Sequence, residues 1–254
     1  MAQKDKVKGG KYLYAVVPGG ERPYGLAGLE GHPVYTISQG QVAAVVSDLT
    51  NGKVRPERRH LAAQQEVLKG LMAAADAVLP MSFGIVADSA RAIQEILSRN
   101  QEALRKHLQR VAGKVEMGLR VTWDVPNIFE YFVNTHQELR LARDRFLGPL
   151  RNPSQKDKIE LGRMFDRLLH EDRETHTAKV EEFLAPACFE IKRNKCRSEP
   201  DVMNLACLVG RDPRAQARFE KGVFAAARLF DNNYAFDYNG PWAPHNFVET
   251  DLRL

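Results

Sequence analysis

The sequence predicts an α+β protein of two domains, the second with a modified ferredoxin-like fold. Hydrophobic residues switch repeatedly between the two-residue spacing of strands and the spacing of amphipathic helices along all 254 residues. In the second half the elements follow the order β-α-α-β-β-α-β. Taking the two helices as one crossover gives the ferredoxin-like βαββαβ order. We expect a small mixed α+β domain at 1–112. A modified ferredoxin-like domain with an extended helical insertion and a C-terminal tail is expected at 113–254.

The elements of the first domain follow from local patterns. The stretch "YLYAVV" is apolar on both alternating faces, which is typical of a central strand. Gly40 and Gln41 predict a hairpin turn, Pro56 suits the first turn of a helix, and Ser89 suits an N-cap. The expected elements are strands at 12–17, 34–37 and 42–46, a helix at 56–75, a strand at 78–86 broken by Pro80 and Gly84, and a helix from Ser89 to Arg110.

The second domain begins with an alternating strand in which Trp123 shares a face with Leu119, Val121 and Val125. We expect this face to lie under the helices, and the opposite face to be polar. The remaining elements are helices at 127–147 and 155–184, a strand with Phe189 and Ile191, a strand at 203–209, a helix from Pro213 to near Phe230, and a last strand at 234–238.

Composition narrows the class of protein. The charged fraction of 27% and the formal charge of +5 fit a soluble globular chain with a mild basic excess. No window approaches the roughly 18 apolar residues that span a bilayer, and the first residues lack a signal-peptide pattern. We therefore expect a cytoplasmic protein that does not bind membranes, with a mobile basic tail at Lys4, Lys6, Lys8 and Lys11.

Residue types that carry chemistry do not form a recognisable site. His170 and His176 lie six positions apart on a helix, whereas a zincin pair is four apart. Cys196 lies among basic residues that would favour a thiolate, yet nothing places a base beside it. His60 is expected at the surface, and Leu61 on the buried face of its helix. We predict no catalytic residue, no metal site and no cofactor.

The ferredoxin-like order and the basic excess also suggest nucleic-acid binding as a function, because RNA-recognition domains share this topology. The expected polar sheet face offers no aromatic platform for stacking bases, and the RNP1 pattern is absent from the sequence. A nucleic-acid-binding module that uses a basic surface therefore remains the alternative function.

Four segments together resemble one family. They are "YLYAVV", "GHPVYTISQGQVAAVVSD", "AVLPMSFGIVAD" and "FDYNGPWAPHNFV". The chain resembles the GvpF/GvpL gas vesicle proteins from Tyr12 to Val248. The V-L-P-x-x-F-G string and the terminal N-G-P-W-x-P-x-x-F are the most distinctive motifs. Ser82 and Ala243 depart from the residues that are common in the family, Arg and Pro.

The resemblance implies a function. It implies a non-enzymatic accessory or structural component of gas vesicles, assembled in the cytoplasm and located at the vesicle. The implied partner is the hydrophobic major shell protein GvpA, together with other accessory proteins, and neither nucleic acid nor membrane. Binding would limit aggregation of GvpA and support nucleation and assembly.

Five aromatic residues near the C-terminus are the candidates for partner binding or for anchoring the tail. The last strand is an edge in the usual ferredoxin-like order, so its aromatic row is a candidate docking edge. Beyond it, the Asn239-Gly240 pair predicts a tight turn, and Pro241 is expected to end the pairing. The candidates are Tyr234, Phe236, Tyr238, Trp242 and Phe247.

Overall fold

The computed structural model describes residues 9–20, 22–50, 54–147 and 153–248. It is an α+β protein with a five-stranded and a four-stranded sheet, which confirms the predicted fold class. Of the predicted mobile basic tail, Lys4, Lys6 and Lys8 lie outside the described residues. Lys11 was wrongly included, because it lies in the strand Gly10–Pro18 and forms an ion pair with Asp48.

Contacts divide the chain into two compact units. Unit 1 comprises the chain up to Glu116, residues 210–212 and the segment from Gly240 onward, and unit 2 comprises 117–209 and 213–239. The closing segment thus packs with unit 1, whereas the sequence analysis assigned it to the second domain. The ranges 1–112 and 113–254 as folding domains stay a prediction.

Unit 1 is built on a sheet whose central strand is the first strand of the chain. Strand order is β2-β3-β1-β4, and β5 also pairs with β1. The strands are β1 Gly10–Pro18, β2 Val34–Gln39, β3 Val42–Leu49, β4 Leu79–Pro80 and β5 Val86–Ala87, and the helices are α1 Arg58–Ala74 and α2 Ala90–Val111. The predicted hairpin joins β2 to β3, and Gly40 adopts the positive φ of 59° that its turn requires.

Both faces of this sheet are covered, as the doubly apolar pattern of β1 predicted. Tyr12 and Tyr14 pack with Leu68 of α1 in one buried cluster. Leu13 and Val16 share the other face, towards α2, although they lie three residues apart. A register shift in β1 between Leu13 and Ala15 accounts for this spacing, because an extra residue moves the later side chains to the opposite face.

The predicted broken strand at 78–86 forms two short strands, β4 and β5. The phenol of Tyr12 fills the gap between them, since it accepts a hydrogen bond from the Gly84 amide at 3.1 Å. The same hydroxyl donates to Oε1 of Gln64 at 2.6 Å, and Nε2 of Gln64 donates to the Met81 carbonyl at 3.0 Å. Burial raises the pKa of Tyr12 to about 12, so the phenol stays protonated.

Helix α1 buries part of the face expected from its spacing, because Leu68 and Leu71 are buried, but that face begins at His60 and not at Leu61. Leu61 is 43% exposed, and His60 is buried at 7% relative exposure, so both predictions were wrong. The buried positions include Gln64, Val67, Leu68 and Leu71, which continue the face of His60 at helical spacing. The Nδ1 atom of His60 lies 2.9 Å from the Arg55 carbonyl, which provides the ring with a polar partner.

Unit 2 has the ferredoxin-like strand order β7-β8-β6-β9. Neighbouring strands run antiparallel, because the end of the strand Lys114–Trp123 lies beside the starts of the strands that begin at Asp201 and Tyr234. There the Trp123 amide donates to the Pro200 carbonyl, and the Asp124 amide donates to the Asn233 carbonyl. The strands are β6 Lys114–Trp123, β7 Glu190–Arg193, β8 Asp201–Gly210 and β9 Tyr234–Trp242, and the helices are α3 Ile128–Thr135, α4 Gln137–Leu147, α5 Gln155–Leu184 and α6 Pro213–Ala227.

The helical insertion contains one more break than predicted. His136 has extended backbone angles and separates α3 from α4 within the span predicted as one helix, 127–147. Its ring stacks on Phe132 at 4.9 Å between centroids, so contacts with the preceding turn hold the break in place. Helix α5 matches the prediction, and Ser154 and Asp157 form a capping box at its start.

The predicted buried face of the unit 2 sheet is confirmed. Trp123 packs in one cluster with the apolar residues of β6 and β8, while Tyr234, Phe236 and Tyr238 lie partly buried against it. The last strand corrects the sequence analysis. It does not turn at Asn239-Gly240 but continues through Pro241 to Trp242, and Gly240 within it adopts a φ of 126°, which glycine tolerates because it has no Cβ.

Candidate partner-binding surfaces

The predicted docking edge lies on β9, one of the two outer strands of the four-stranded sheet. Its side chains alternate strictly. Tyr234, Phe236 and Tyr238 are half-buried on the helical side, and Ala235 and Asp237 are exposed on the other. Period-two alternation therefore places the three predicted aromatic residues in one row.

The start of this aromatic row is held by a polar cluster. The Tyr234 hydroxyl lies 3.0 Å from Nε2 of His176 and 3.3 Å from the Tyr131 hydroxyl. Burial lowers the pKa of His176, with the nearby carboxylate of Asp172 opposing the shift. The neutral ring therefore predominates near pH 7. Burial also raises the pKa of Tyr131.

The start and the middle of the row pack on the ring of Phe230, three residues after the end of α6. The ring of Phe230 lies 4.9 Å from that of Tyr234 and 5.3 Å from that of Phe236, with both pairs in edge-to-face geometry. Such pairs contribute about 0.5–1.5 kcal/mol beyond their burial. The row is thus a structural part of unit 2 as well as an edge.

The far end of the row is more open. The Tyr238 hydroxyl donates to Oε1 of Glu220, and its ring meets the edge of Phe224 at 6.2 Å between centroids. Phe224 itself is 55% exposed. Tyr238 and Phe224 therefore form a partly exposed aromatic corner beside the outer strand, which we call the β9 corner.

The closing segment packs within unit 1. Phe247 is fully buried, and Ala243 belongs to the buried cluster of Tyr12 and Tyr14. Trp242 is 43% exposed. The two tail aromatics predicted together thus have opposite environments, with Phe247 in the core and Trp242 at the surface.

A buried carboxylate holds this segment by its backbone. Glu116 has 6% relative exposure, and its Oε2 accepts the Asn246 amide at 2.8 Å while its Oε1 accepts from Nδ2 of Asn246 at 2.6 Å. Nη1 of Arg110 lies 3.4 Å from the Phe247 carbonyl, which it can donate to. We call Ala243, Asn246 and Phe247, with Glu116 beneath them, the tail anchor.

Comparison with known proteins identifies the family. A family model described as "Gas vesicle synthesis protein GvpL/GvpF" matches residues 10–249. The chain belongs to the GvpL/GvpF family. Gas vesicle protein F of Dolichospermum flosaquae is 25% identical over 243 residues, which cover 94% of this chain and 98% of that protein.

Solved GvpF structures share the fold. The crystal structure of GvpF from an Anabaena species superimposes with a TM-score of 0.80 at 25% identity, over 94% of this chain and 97% of that one. GvpF from Microcystis aeruginosa gives a TM-score of 0.79 at 21% identity, over 94% and 98%. The α+β fold expected from the resemblance is therefore confirmed, as is membership of a gas vesicle protein family.

Two of the residues that the sequence analysis weighed for chemistry, His170 and Cys196, line one pocket in this GvpL/GvpF chain, together with residues of α5 and β8. Across the described ranges, no three His, Cys, Asp or Glu side chains gather in a way that could hold a metal ion. None of the helices in those ranges is long and apolar enough to cross a membrane. Burial raises the pKa of the Cys196 thiol, although Arg173 and Arg120 oppose the shift, so the protonated thiol is favoured over the thiolate.

Sequence analysis missed two residues that matter at these surfaces. Phe224 was one apolar residue within an amphipathic helix, and only the position of β9 makes it part of a surface. Glu116 stands at an ordinary position of an alternating strand, and its signal would have been a charged residue flanked by Val115 and Met117, which are both buried.

Proposed function

We propose that this chain is a non-enzymatic accessory protein of gas vesicles that binds the major shell protein GvpA. Binding limits the aggregation of GvpA and supports vesicle nucleation and assembly. The observation that carries the proposal is the β9 corner, an exposed aromatic pair beside an outer strand. Its place of action is the gas vesicle, and other accessory proteins of the vesicle are further partners.

The physical need for such a protein follows from the shell. A subunit that will face gas exposes apolar surface before it assembles, and exposed apolar surface associates without specificity. A partner that covers this surface reversibly keeps the subunit available for ordered assembly. The covering surface must itself be apolar enough to bind and limited enough to remain soluble.

The outer strand β9 fits this role. An outer strand offers backbone groups on one side, and an extended segment of a partner can add to it, with side-chain contacts providing specificity. In β9 the aromatic row lies on one side of that edge, and Phe224 extends it outward. The exposed Asp237 on the opposite face discourages indiscriminate stacking of strands.

The alternative of nucleic-acid binding is weakened by the pairing of arginines in unit 2. Nη2 of Arg120 lies 2.6 Å from Oδ1 of the buried Asp201, and Arg193 contacts both Glu174 and Glu181 at 2.7 and 2.6 Å. These guanidinium groups would have to exchange carboxylates for phosphates. That exchange reduces the electrostatic gain on which nucleic-acid affinity depends.

The test compares aggregation of GvpA with and without this protein, followed by light scattering as denatured GvpA is diluted into buffer. We expect suppression by the unmodified chain and weaker suppression by Phe224→Ser. Leu141→Ser, which removes an apolar side chain that is 60% exposed on α4, is the matched control and should act like the unmodified chain.

Failure of the unmodified chain to bind GvpA or to reduce its scattering would refute the proposed function. Equal loss in the Phe224 and Leu141 variants would refute the β9 corner as the docking surface. A steep fall in nucleic-acid affinity with rising salt would instead favour the alternative.

A further inference from the structure

Unit 1 contains an apolar pocket of about 210 Å³ that the β9 corner does not involve. It lies between the sheet and α2, beside the segment 85–88 that follows the V-L-P-x-x-F-G string. Leu13 and Val16 of β1 form its floor, and Ile96 of α2 forms one wall. The V-L-P-x-x-F-G string thus runs directly into the rim of this pocket.

The pocket is closed at its base and open at its rim. Leu13, Val16 and Ala44 at its base are buried. Ala92 and Ile96 on the helix are only partly buried. Solvent therefore reaches the pocket between the first turns of α2 and the segment 85–88.

Its lining is aliphatic except for Asp88, which is exposed at the rim. A bound water needs two to four polar partners, and the aliphatic side chains below the rim offer none, so water in the pocket is weakly held. A dry cavity of about 150 Å³ binds benzene, so this slightly larger one has room for a group of similar size. The chemistry it selects is aliphatic or aromatic carbon with no polar atom.

The position of the pocket makes it accessible to a chain as well as to a small molecule. Strands β4 and β5 form one outer edge of the five-stranded sheet, and in the described part of the chain β5 pairs only with β1. An extended segment lying along that edge would pass the rim, where one side chain could enter and a neighbouring basic or amide group could meet Asp88.

We propose that this pocket receives an aliphatic side chain of the major shell subunit, with Asp88 contacting a basic or amide group next to it. The inference rests on the proposed function for the identity of the partner. It adds a second contact, in unit 1, with a defined size and polarity. The occupant is apolar because the pocket offers no hydrogen-bonding group below its rim.

The first experiment tests the pocket alone, with benzene as the probe and thermal unfolding of the full chain as the measurement. We expect saturating benzene to raise Tm by about 2 °C in the unmodified chain, because a ligand that binds only the folded state stabilises it. Ala92→Phe places a ring in the pocket and should abolish the response. Gln94→Phe adds the same ring to an exposed position of α2 and should keep it.

The second experiment measures co-purification of the same variants with tagged shell subunit. We expect Ala92→Phe to weaken binding about tenfold or more, as for loss of a central interface anchor, and Gln94→Phe to leave it within about threefold. Ile96→Gln is a second variant on the solvent side of the pocket that does not add volume, and it should also weaken binding.

The outcomes separate the two proposals. If the unmodified chain does not bind the shell subunit, the proposed function fails and this inference fails with it. If the unmodified chain binds and the Ala92 and Ile96 variants bind equally well, the proposed function stands and the pocket is not the contact. Unchanged Tm of the unmodified chain in benzene would show that the pocket takes no apolar group.

Discussion

The two aromatic segments that end this chain are neighbours in sequence but differ in environment. The row from Tyr234 to Tyr238 lies half-buried on an outer strand, and Phe224 beside it is exposed. Phe247, only nine residues after Tyr238, is fully buried, and the buried Glu116 binds the adjacent Asn246. The comparison teaches that aromatic content does not distinguish a core anchor from a surface, whereas the polar groups beside the rings do.

Burial of a carboxylate costs free energy unless its oxygens accept hydrogen bonds, so the segment that donates those bonds is held in place. Glu116 therefore commits Asn246, and with it Phe247, to one position. The β9 corner has no comparable buried charge, and Tyr238 reaches the exposed Glu220 instead. One aromatic segment is thus structural, and the other is available for a partner.

The largest effect should come from removing the buried ring. Phe247→Ala is expected to lower the free energy of unfolding by about 3–5 kcal/mol, as for other buried phenylalanines. Trp242→Ala removes a larger but partly exposed ring and should cost less than about 1 kcal/mol. Urea unfolding of both variants would measure this difference, and equal losses would contradict the assignment of Phe247 as the anchor.

The next largest effect should come from the carboxylate of the tail anchor. Glu116→Ala leaves the Asn246 amide without its acceptor and should lower the free energy of unfolding by about 2 kcal/mol. Glu102→Ala, at an exposed ion pair on α2, is the control and should change little. Combining Glu116→Ala with Asn246→Ala should cost less than the sum of the single changes, and strict additivity would argue against their coupling.

A smaller effect should follow pH at the start of the aromatic row. The pKa of His176 is lowered in the folded state, so the neutral ring favours folding. Its contribution is complete above the ordinary histidine pKa of about 6.5 and declines as pH falls below that value. The urea midpoint should therefore fall between pH 7 and pH 5.

Two matched variants test whether His176 causes this dependence of the urea midpoint on pH. His176→Gln should show a shallower dependence on pH because it has no ring to protonate. His170→Gln, on an exposed part of the same helix, should keep the dependence of the unmodified chain. If both variants follow the same curve, His176 does not link the aromatic row to pH.

The smallest effect on stability should occur at the β9 corner. Phe224→Ala removes a mostly exposed ring and should change the free energy of unfolding by no more than about 0.5 kcal/mol. Phe219→Ala, five residues earlier on the same helix and fully buried, should cost about 3–5 kcal/mol. Similar losses at the two positions would show that the corner is part of the core and unsuited to a partner.

Much of the fold could be predicted because local pattern and tertiary structure agree in this chain. The alternation around Trp123 identified a half-buried strand, and Ser89 identified the start of α2, where its hydroxyl accepts the Ala92 amide at 3.1 Å. In both cases the side chain that carries the signal also makes the contact that stabilises the element. Such signals need no knowledge of the rest of the fold.

The remaining features depend on contacts that sequence spacing does not reveal. His60 is buried, and its Nδ1 lies 2.9 Å from the Arg55 carbonyl, a contact that the helical spacing around Leu61 does not reveal. The extension of β9 through Pro241 likewise differs from the expectation that proline ends strand pairing, because β9 is an outer strand, where proline is tolerated. A proline on an outer strand lacks only an amide that need not pair.

The candidate surfaces were predicted in part for the same reason. Period two placed Tyr234, Phe236 and Tyr238 on one face of a strand, and the structure gives them one face. Their role in binding, like the anchoring role of Trp242 and Phe247, stays a prediction. The roles of Phe224 and Glu116 could not be predicted from the sequence, because they depend on the residues that the fold places beside them, Tyr238 and Asn246.

The hydrogen bonds of the Tyr12 hydroxyl should constrain which substitutions occur together among homologues. The hydroxyl replaces a missing piece of backbone pairing, since it joins Gln64 of α1 to Gly84 in the break between β4 and β5. One oxygen atom thus connects three segments that are far apart in sequence. Loss of this hydroxyl would leave Gln64 and the Gly84 amide without a hydrogen-bond partner that they now have. Homologues with phenylalanine at this position should therefore also differ at 64 or 84, as a linked set of substitutions.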